Sequence, residues 1–189
     1  IGQALAALFS QDYRDFKLIV IDSGSTDRTL ELCAAYTHKL LQIAPSEYFP
    51  GKVLNYASEH AQGEILVFQN SDAVPLTRST LGKLVAAFDD EAVMAALSRQ
   101  LPRPDADAWV RRDYATSFPD EDETPPWITL SLPMAAMRAS AWREHRFYTD
   151  AWGSEDTEWG QWAKDRGFKI AYVRDSLVMH SHNYTLKQL

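Results

Sequence analysis

Three features that many proteins use are scarce or absent in this sequence: cysteine, long apolar runs and clusters of basic residues. The single cysteine, Cys33, excludes an internal disulfide and favours a reducing compartment. No apolar run approaches the roughly 20 residues that a membrane-spanning helix needs, and no signal peptide is visible. The net charge is −7 and no basic block interrupts it, which argues against nucleic-acid binding. We therefore expect no integral membrane segment and no nucleic-acid partner.

What remains is the composition of an ordinary globular domain. The chain has 189 residues, of which 46% are hydrophobic and 24% are charged. A chain of this length can bury a substantial core, and it is long enough for one domain or slightly more. We therefore treat residues 1–189 as a single domain.

The segment EILVFQNSDAVP, residues 64–75, is the one around which the prediction is built. Ile65–Gln69 consists mostly of β-forming residues without polar alternation, which predicts a central strand buried on both faces. Asn70, Ser71 and Asp72 follow directly. An acid just past the carboxyl end of a central strand is where open α/β sheets place ligand chemistry, and it can hold a divalent cation. The alternative is a turn in which Asn and Asp bond their own backbone.

The order of predicted elements indicates an α/β fold with a mostly parallel sheet and helices on both faces. Residues 1–9 have helical spacing, residues 18–21 and 40–43 read as short strands, and helices separate the strands. Because parallel strands share one carboxyl edge, Asp22 and Asp72 should lie on the same rim. The opening helix implies a preceding strand that this sequence lacks. Either the fragment begins late, or an upstream segment completes the sheet.

Two acids, Glu155 and Asp156, stand at the start of a predicted helix. Ser154 is a suitable N-cap, so both acids fall in the first turn. Acids in this position also offset the helix dipole without any catalytic role, and that alternative stays open.

Two histidines alternate near the end of the chain. Residues 177–182 read as a strand, and a period of two places Val178, His180 and His182 on one side of it. A lone histidine on an apolar strand is usually a core residue, whereas two in alternation favour a ligand-binding role.

These segments, in this order, resemble the catalytic domain of glycosyltransferase family 2, which has the GT-A fold, Rossmann-like with its first strand missing here. Single motifs are weak, but the ordered set is specific, and part of it is similar to bacterial rhamnosyltransferase-like members. The matching stretches are IVIDSGSTDRT (19–29), FPGKVLN (49–55), AQGEILVFQNSDAVP (61–75), RQLPRPDAD (99–107), AAMR (135–138), SEDTEW (154–159), RGFKIAYV (166–173) and VMHSHNY (178–184).

The resemblance implies a cation site built on the family's DxD position. That position falls on Asn70, Ser71 and Asp72, so the first acid is replaced by an amide. Asp72 and His180 are then implied to bind Mg²⁺ or Mn²⁺ at the diphosphate of the donor. His182 is the less favoured ligand.

The resemblance also assigns donor and catalytic residues. Asp22 and Ser23 match the nucleotide-contacting position, and Lys52 and Asn55 match residues that line the donor pocket. Asp156, with Glu155 beside it, matches the family's base position.

The implied function is metal-dependent, inverting transfer of a hexosyl or rhamnosyl unit from a nucleotide-diphosphate sugar. The implied acceptor is a hydroxyl of a saccharide or a lipid-linked saccharide, as in bacterial polysaccharide biosynthesis. The implied location is the cytoplasm, either free or at the inner face of the membrane. Two alternatives remain: a nucleotidyltransferase of similar fold, and a non-catalytic module that binds nucleotide or carbohydrate. The oligomeric state is not indicated.

Overall fold

The computed structural model describes residues 1–121, 126, 128–150 and 152–183. Tyr184, which ends the VMHSHNY stretch, lies outside these residues. The elements are α1 (Gly2–Phe9), β1 (Ile19–Asp22), α2 (Thr29–Ala34), β2 (Lys39–Gln42), α3 (Pro50–Glu59), β3 (Ile65–Gln69), β4 (Val74–Pro75), α4 (Thr80–Ala86), β5 (Val93–Leu101), α5 (Ala108–Ser117), β6 (Met134–Arg138), α6 (Ala139–Glu144), α7 (Glu155–Asp165) and β7 (Lys169–Met179).

The strands form two sheets rather than the mostly parallel one that the sequence predicted. β1 and β2 form a parallel pair, and the other strands form a mixed sheet in the order β3-β6-β5-β7-β4. Of the pairings that the described strands make in the mixed sheet, only β5–β7 is parallel. The α/β class is confirmed, but the mostly parallel arrangement is corrected. An apolar run shows that a strand is buried, and it carries no information on which direction the neighbouring strand runs.

The β3 strand lies at a sheet edge, not at the centre. Among the described residues it pairs with β6 alone, and Val67 in its middle is 38% exposed. Its other edge faces a groove of about 670 Å³, whose opposite wall includes Leu18, Ile19 and Ile21 around β1. We call this space the inter-sheet groove. The prediction of a central strand buried on both faces is therefore wrong. One edge of β3 has no neighbouring strand among the described residues, and the Val67 side chain remains exposed.

Helices cover both faces of the mixed sheet, as predicted. One core lies beneath α6 and α7 and contains Trp142, Phe147 and Trp159. The other lies beneath α1 and α4 and contains Leu8 and Leu84. Within the described ranges, no helix combines the length and the apolar character that crossing a bilayer requires.

Candidate active site

Asp72 lies in a tight turn that leads out of β3. The Asn70 carbonyl accepts the N–H of Ala73 at 3.0 Å, and the Asn70 N–H donates to the Pro133 carbonyl at 3.1 Å. The two interpretations of Asn70, Ser71 and Asp72, as a turn and as a cation-binding site, are therefore compatible. The backbone forms a turn while the Asp72 carboxylate remains half-buried and accessible. Asn70 and Ser71 are exposed beside it.

The short β4 strand brings Asp72 to the two histidines. β4 pairs with the end of β7, with Val74 opposite Met179, so the residues just outside this pairing face one another. His180 Nε2 lies 3.7 Å from Asp72 Oδ1, and His182 Nε2 lies 3.5 Å from Asp72 Oδ2. One ligand atom from each of the three residues falls within 4.8 Å of the others. The predicted convergence of Asp72 and His180 is present, and His182 joins them.

The His180 ring fits a cation ligand. Its Nε2 atom is buried and has no hydrogen-bond partner among the residues that the structure describes. Burial lowers the pKa of His180, the Asp72 charge opposes that effect, and the neutral form is the one that binds metals. A carboxylate oxygen with imidazole nitrogens suits Mn²⁺ at least as well as Mg²⁺, which prefers oxygen ligands.

Arg103 adds a positive charge at this site, and sequence reasoning missed it. Its Nη2 atom donates to the Asp72 carbonyl at 2.6 Å and lies 3.7 Å from Asp72 Oδ2. The side chain remains 29% exposed, so the guanidinium can also reach an anion bound beside Asp72. The signal was available: Arg103 lies inside the RQLPRPDAD stretch.

The acid pair begins helix α7 at the same cleft. Glu155 lines a cleft of about 420 Å³ together with Asn70, Ser71 and Asp72. Its Oε2 atom is buried and has no hydrogen-bond partner in the described part of the chain, and burial raises the pKa of this carboxyl. Ser154 occupies the N-cap position with φ 67°, but its side chain makes no capping hydrogen bond.

Asp156 is held by backbone groups. Its Oδ1 atom accepts the Thr157 N–H at 2.7 Å, and the Leu132 N–H also donates to the carboxylate. Burial raises the pKa of Asp156, and these two N–H donors partly oppose that rise. Leu132 lines the cleft with Asp72, whereas Asp156 itself does not line it, so this acid is connected to the cleft through Leu132 and its neighbour Glu155.

The Asp22 carboxylate accepts hydrogen bonds from the backbone of the turn that follows it. Its side chain is 5% exposed, and Oδ2 accepts the N–H groups of Gly24 and Ser25 at 3.0 Å each. A hydrogen bond from the Ser25 side chain is the main cause of its lowered pKa, while burial opposes it. Ile21, immediately before it, lines the cleft with Asp72, so the two strand ends do share a rim, with Ser23 half-buried there.

Lys52 and Asn55 lie on α3, and the structure gives Asn55 a packing role. The Asn55 Oδ1 atom accepts from Trp142 Nε1 and from the Phe147 N–H, both at 3.0 Å, and its Nδ2 donates to the Phe147 carbonyl at 2.8 Å. Lys52 is exposed, with Nζ 5.5 Å from the centre of the Phe49 ring. Neither residue lines the cleft that contains Asp72.

The sequence profile described as Glycosyl transferase family 2 matches residues 1–147. The chain belongs to glycosyl transferase family 2. The family predicted from the ordered motifs is thus confirmed.

Relatives within glycosyl transferase family 2 include two rhamnosyltransferases. The chain is 31% identical to the O-antigen chain rhamnosyltransferase WbaN of Salmonella anatum, over 96% of this chain and 62% of WbaN. It is 28% identical to the O-antigen chain rhamnosyltransferase RfbN of Salmonella typhimurium, over 97% of this chain and 63% of RfbN. The chain therefore spans less than two thirds of the length of either relative.

Solved structures confirm the GT-A-like fold of this family member. The mannosyltransferase PcManGT from Pyrobaculum calidifontis, in complex with GDP-Man and Mn²⁺, matches with a TM-score of 0.73 and 23% identity, over 98% of this chain and 54% of that one. TarS 1–349 of S. aureus, in complex with UDP-GlcNAc, matches with a TM-score of 0.70 and 21% identity, over 96% of this chain and 54% of that one.

Proposed function

We propose that this family member transfers a sugar from a nucleoside-diphosphate sugar to an acceptor hydroxyl, with inversion at the anomeric carbon and with a divalent cation. One observation carries the proposal: the Asp72–His180–His182 cluster adjoins a cleft that a second, separate acid, Glu155, also lines. A cation-holding group and a carboxylate base answer the two difficulties of glycosyl transfer, which are a leaving diphosphate and a weakly nucleophilic hydroxyl.

Asp156 is the proposed general base, and Glu155 is its partner in the cleft. The acceptor hydroxyl gives its proton to the Asp156 carboxylate as its oxygen attacks the anomeric carbon from the face opposite the leaving group, which inverts that centre. The Leu132 and Thr157 N–H groups fix the orientation of the base. Burial raises the pKa of Asp156, which makes it a stronger base than an exposed aspartate. The Glu155 carboxylate, whose Oε2 lacks a partner, is placed to bind an acceptor hydroxyl.

Asp72, His180 and His182 are the proposed ligands of Mn²⁺ or Mg²⁺. When bound, the cation would act as a Lewis acid on the leaving diphosphate. Arg103, next to Asp72, supplies a further positive charge toward the same diphosphate. The Mn²⁺ and GDP-Man in the PcManGT complex support this assignment by analogy of fold.

The proposed donor site lies along the carboxyl ends of β1 and β3. Asn70, Ser71 and Asp72 line the cleft there, and the turn at Asp22 and Ser23 directly follows Ile21, which lines the cleft on the β1 side. The names of the two rhamnosyltransferases support rhamnosyl transfer to a saccharide or lipid-linked saccharide acceptor.

The proposed domain is a single catalytic domain in which a further strand fills the inter-sheet groove. The groove separates β1 from β3, and both of its walls are strand edges without partners among the described residues. An additional strand between them would join the two sheets into one.

The function is tested by thermal shift with UDP-, GDP- and dTDP-sugars, each with Mn²⁺ and with EDTA. We expect one donor to raise the Tm in Mn²⁺ only, because a ligand that binds the native state stabilises it. The Asp72→Asn variant should lose that shift. Turnover of the selected donor should release the nucleoside diphosphate. Release of pyrophosphate would instead identify a nucleotidyltransferase, and the absence of any donor-dependent shift would contradict the proposal.

A further inference from the structure

Gln100 is a buried polar residue near the end of β5, beside the histidine of the proposed cation site. The parallel β5–β7 pairing places Gln100 opposite Val178 and Leu101 opposite Met179. The His180 N–H then donates to the Leu101 carbonyl at 3.0 Å. Gln100 is 2% exposed and His180 is 7% exposed. Their side chains therefore depend on protein groups rather than on water for hydrogen bonds.

The Gln100 amide is oriented by its own partner. Its Nε2 atom donates to Ser131 Oγ at 2.8 Å, and its Oε1 atom lies 3.2 Å from His180 Nδ1. An amide oxygen can only accept a hydrogen bond, so the Nδ1 atom must carry the proton in this contact. The Tyr114 hydroxyl lies 3.4 Å from the same nitrogen, and a hydroxyl can accept as well as donate.

The position of the proton decides what His180 can bind. A neutral imidazole has one N–H, so a proton on Nδ1 leaves the lone pair on Nε2. That atom is buried, lies 3.7 Å from Asp72 Oδ1 and has no hydrogen-bond partner within the described ranges. In the opposite tautomer, the Nε2–H would have no acceptor within hydrogen-bond distance among the described residues, since Asp72 Oδ1 lies at 3.7 Å. The Nδ1 lone pair would then face a lone pair of Gln100 Oε1 at 3.2 Å, and only the Tyr114 hydroxyl at 3.4 Å could donate to it.

We propose that Gln100 is a positioning residue that holds His180 in the Nδ1–H tautomer and so presents the Nε2 lone pair to a divalent cation beside Asp72. Metal-binding histidines commonly donate their second ring N–H to a neighbouring acceptor, which fixes the tautomer and the ring orientation. In this chain the acceptor is an amide that is itself held by Ser131. This inference rests on the proposed function only in the assumption that the bound cation serves sugar transfer.

The first test measures the tautomer in the metal-free protein. Long-range ¹H–¹⁵N correlation spectra of histidine-labelled protein at mildly alkaline pH report which ring nitrogen carries the proton, and a His180→Gln variant assigns the signal. We expect the Nδ1–H form in the unaltered protein and a shift of the population toward Nε2–H in Gln100→Met. An Nε2–H form in the unaltered protein would overturn the proposal. This result does not depend on any sugar-transfer activity.

The second test measures Mn²⁺ affinity from the EPR signal of free Mn²⁺. Loss of an outer partner of a metal-binding histidine typically weakens binding about 10- to 100-fold, and we expect a loss of that order in Gln100→Met. Gln100→Glu retains an acceptor at Nδ1 and should retain both the tautomer and the binding. Unchanged affinity in Gln100→Met would overturn the positioning role.

A matched control separates positioning from general loss of structure. Gln11 is equally buried, at 1% exposed, but its amide bonds Ala7, Thr77 and Leu81 rather than the histidines. Gln11→Met should lower the stability and leave Mn²⁺ affinity and the His180 tautomer unchanged. Equal loss of affinity in the Gln11 and Gln100 variants would show that the effect is structural and would contradict the proposal.

Discussion

Glu155 and Asp156 are neighbours in the sequence, and only their surroundings separate their roles. Asp156 accepts N–H groups from Thr157 and Leu132, whereas Glu155 leaves one buried oxygen without a partner. We expect Asp156→Asn to lower kcat about 10²- to 10⁴-fold, the usual contribution of a general base, with donor affinity unchanged. Glu155→Gln should chiefly raise the KM of the acceptor. Equal loss of donor binding and transfer in Asp156→Asn would make this acid structural.

The pH dependence follows from the same burial. Because burial raises the pKa of Asp156 above the ordinary value of 3.8, the base becomes protonated at a pH where an exposed aspartate is still charged. Activity should therefore fall, as the pH decreases, at a higher pH than an ordinary aspartate would give. A profile of kcat/KM against pH measures this, and the acid limb should persist in Glu155→Gln. An acid limb near pH 3.8 would contradict the assignment.

The same shift has a consequence for stability. A carboxyl whose pKa is raised by folding binds its proton more tightly in the native state, so its charged form opposes folding at neutral pH. Asp156→Asn removes that buried charge and should not lower the free energy of unfolding near neutral pH. A catalytic loss in this variant can then be read as chemistry rather than as unfolding.

Among the helices, α3 is held in place by residues of the FPGKVLN motif, and these packing contacts occupy the side chain of Asn55, which was predicted to line the donor pocket. A Cβ atom on Gly51 would come within 1.9 Å of the Tyr148 carbonyl oxygen, so the helix backbone packs directly on this segment. Four residues later, Asn55 accepts from Trp142 and Phe147 and donates to the Phe147 carbonyl. The motif therefore has a packing reason that its resemblance to a donor-binding element did not reveal.

The packing role of Asn55 can be tested directly. Asn55→Ala leaves the Trp142 and Phe147 N–H groups without their acceptor. Each of these donors that stays buried should lower the free energy of unfolding by about 1–3 kcal/mol. We expect urea unfolding to show a loss of that size, with donor affinity little changed in the folded protein. In the Lys52→Ala variant, where the side chain is exposed, the free energy of unfolding should stay within about 0.5 kcal/mol of that of the unaltered protein. Unchanged stability with lost donor binding in Asn55→Ala would restore the donor-contact prediction.

The elements differ in how well the sequence predicted them. The helical spacing of residues 1–9 predicted α1 because one face of that helix must meet the core, where Leu8 lies. Strand direction was not predictable, since β6 and β4 owe theirs to pairings between residues far apart in sequence. The site shows the same limit. Asp72 and His180 were found through motifs, whereas Gln100 and Arg103 lie in the matched RQLPRPDAD stretch but come to His180 and Asp72 only through the long-range β5–β7 and β4–β7 pairings.

At the scale of the whole molecule, the unusual feature is that two sheets face each other across an apolar groove. β1 and β3 each have a hydrogen-bonded neighbour on one side only within the described residues, and Ile65, Val67 and Ile19 line the space between them. Exposed strand edges beside apolar side chains are a natural place for another strand to add. Ile1 lines the cleft at the same end as Ile21 and Asn70, so a strand in the groove that runs parallel to β1 would end close to the start of α1.

This geometry predicts that a short strand fused ahead of Ile1 will stabilise the protein. Each buried Val or Ile contributes about 1.5–3 kcal/mol, against about 1–2 kcal/mol per residue for ordering the backbone. We therefore expect a net gain of about 2 kcal/mol from a five-residue Val/Ile/Thr strand, or roughly 4–8 °C in Tm for a chain of this size. A Gly/Ser fusion of equal length is the matched control. Hydrogen exchange should slow at β3 with the apolar fusion only, because a Gly/Ser segment buries too little apolar surface to offset the entropy lost when it pairs. If both fusions leave the Tm and the exchange of β3 alike, the groove is not a strand site and the single-sheet domain proposed above is wrong.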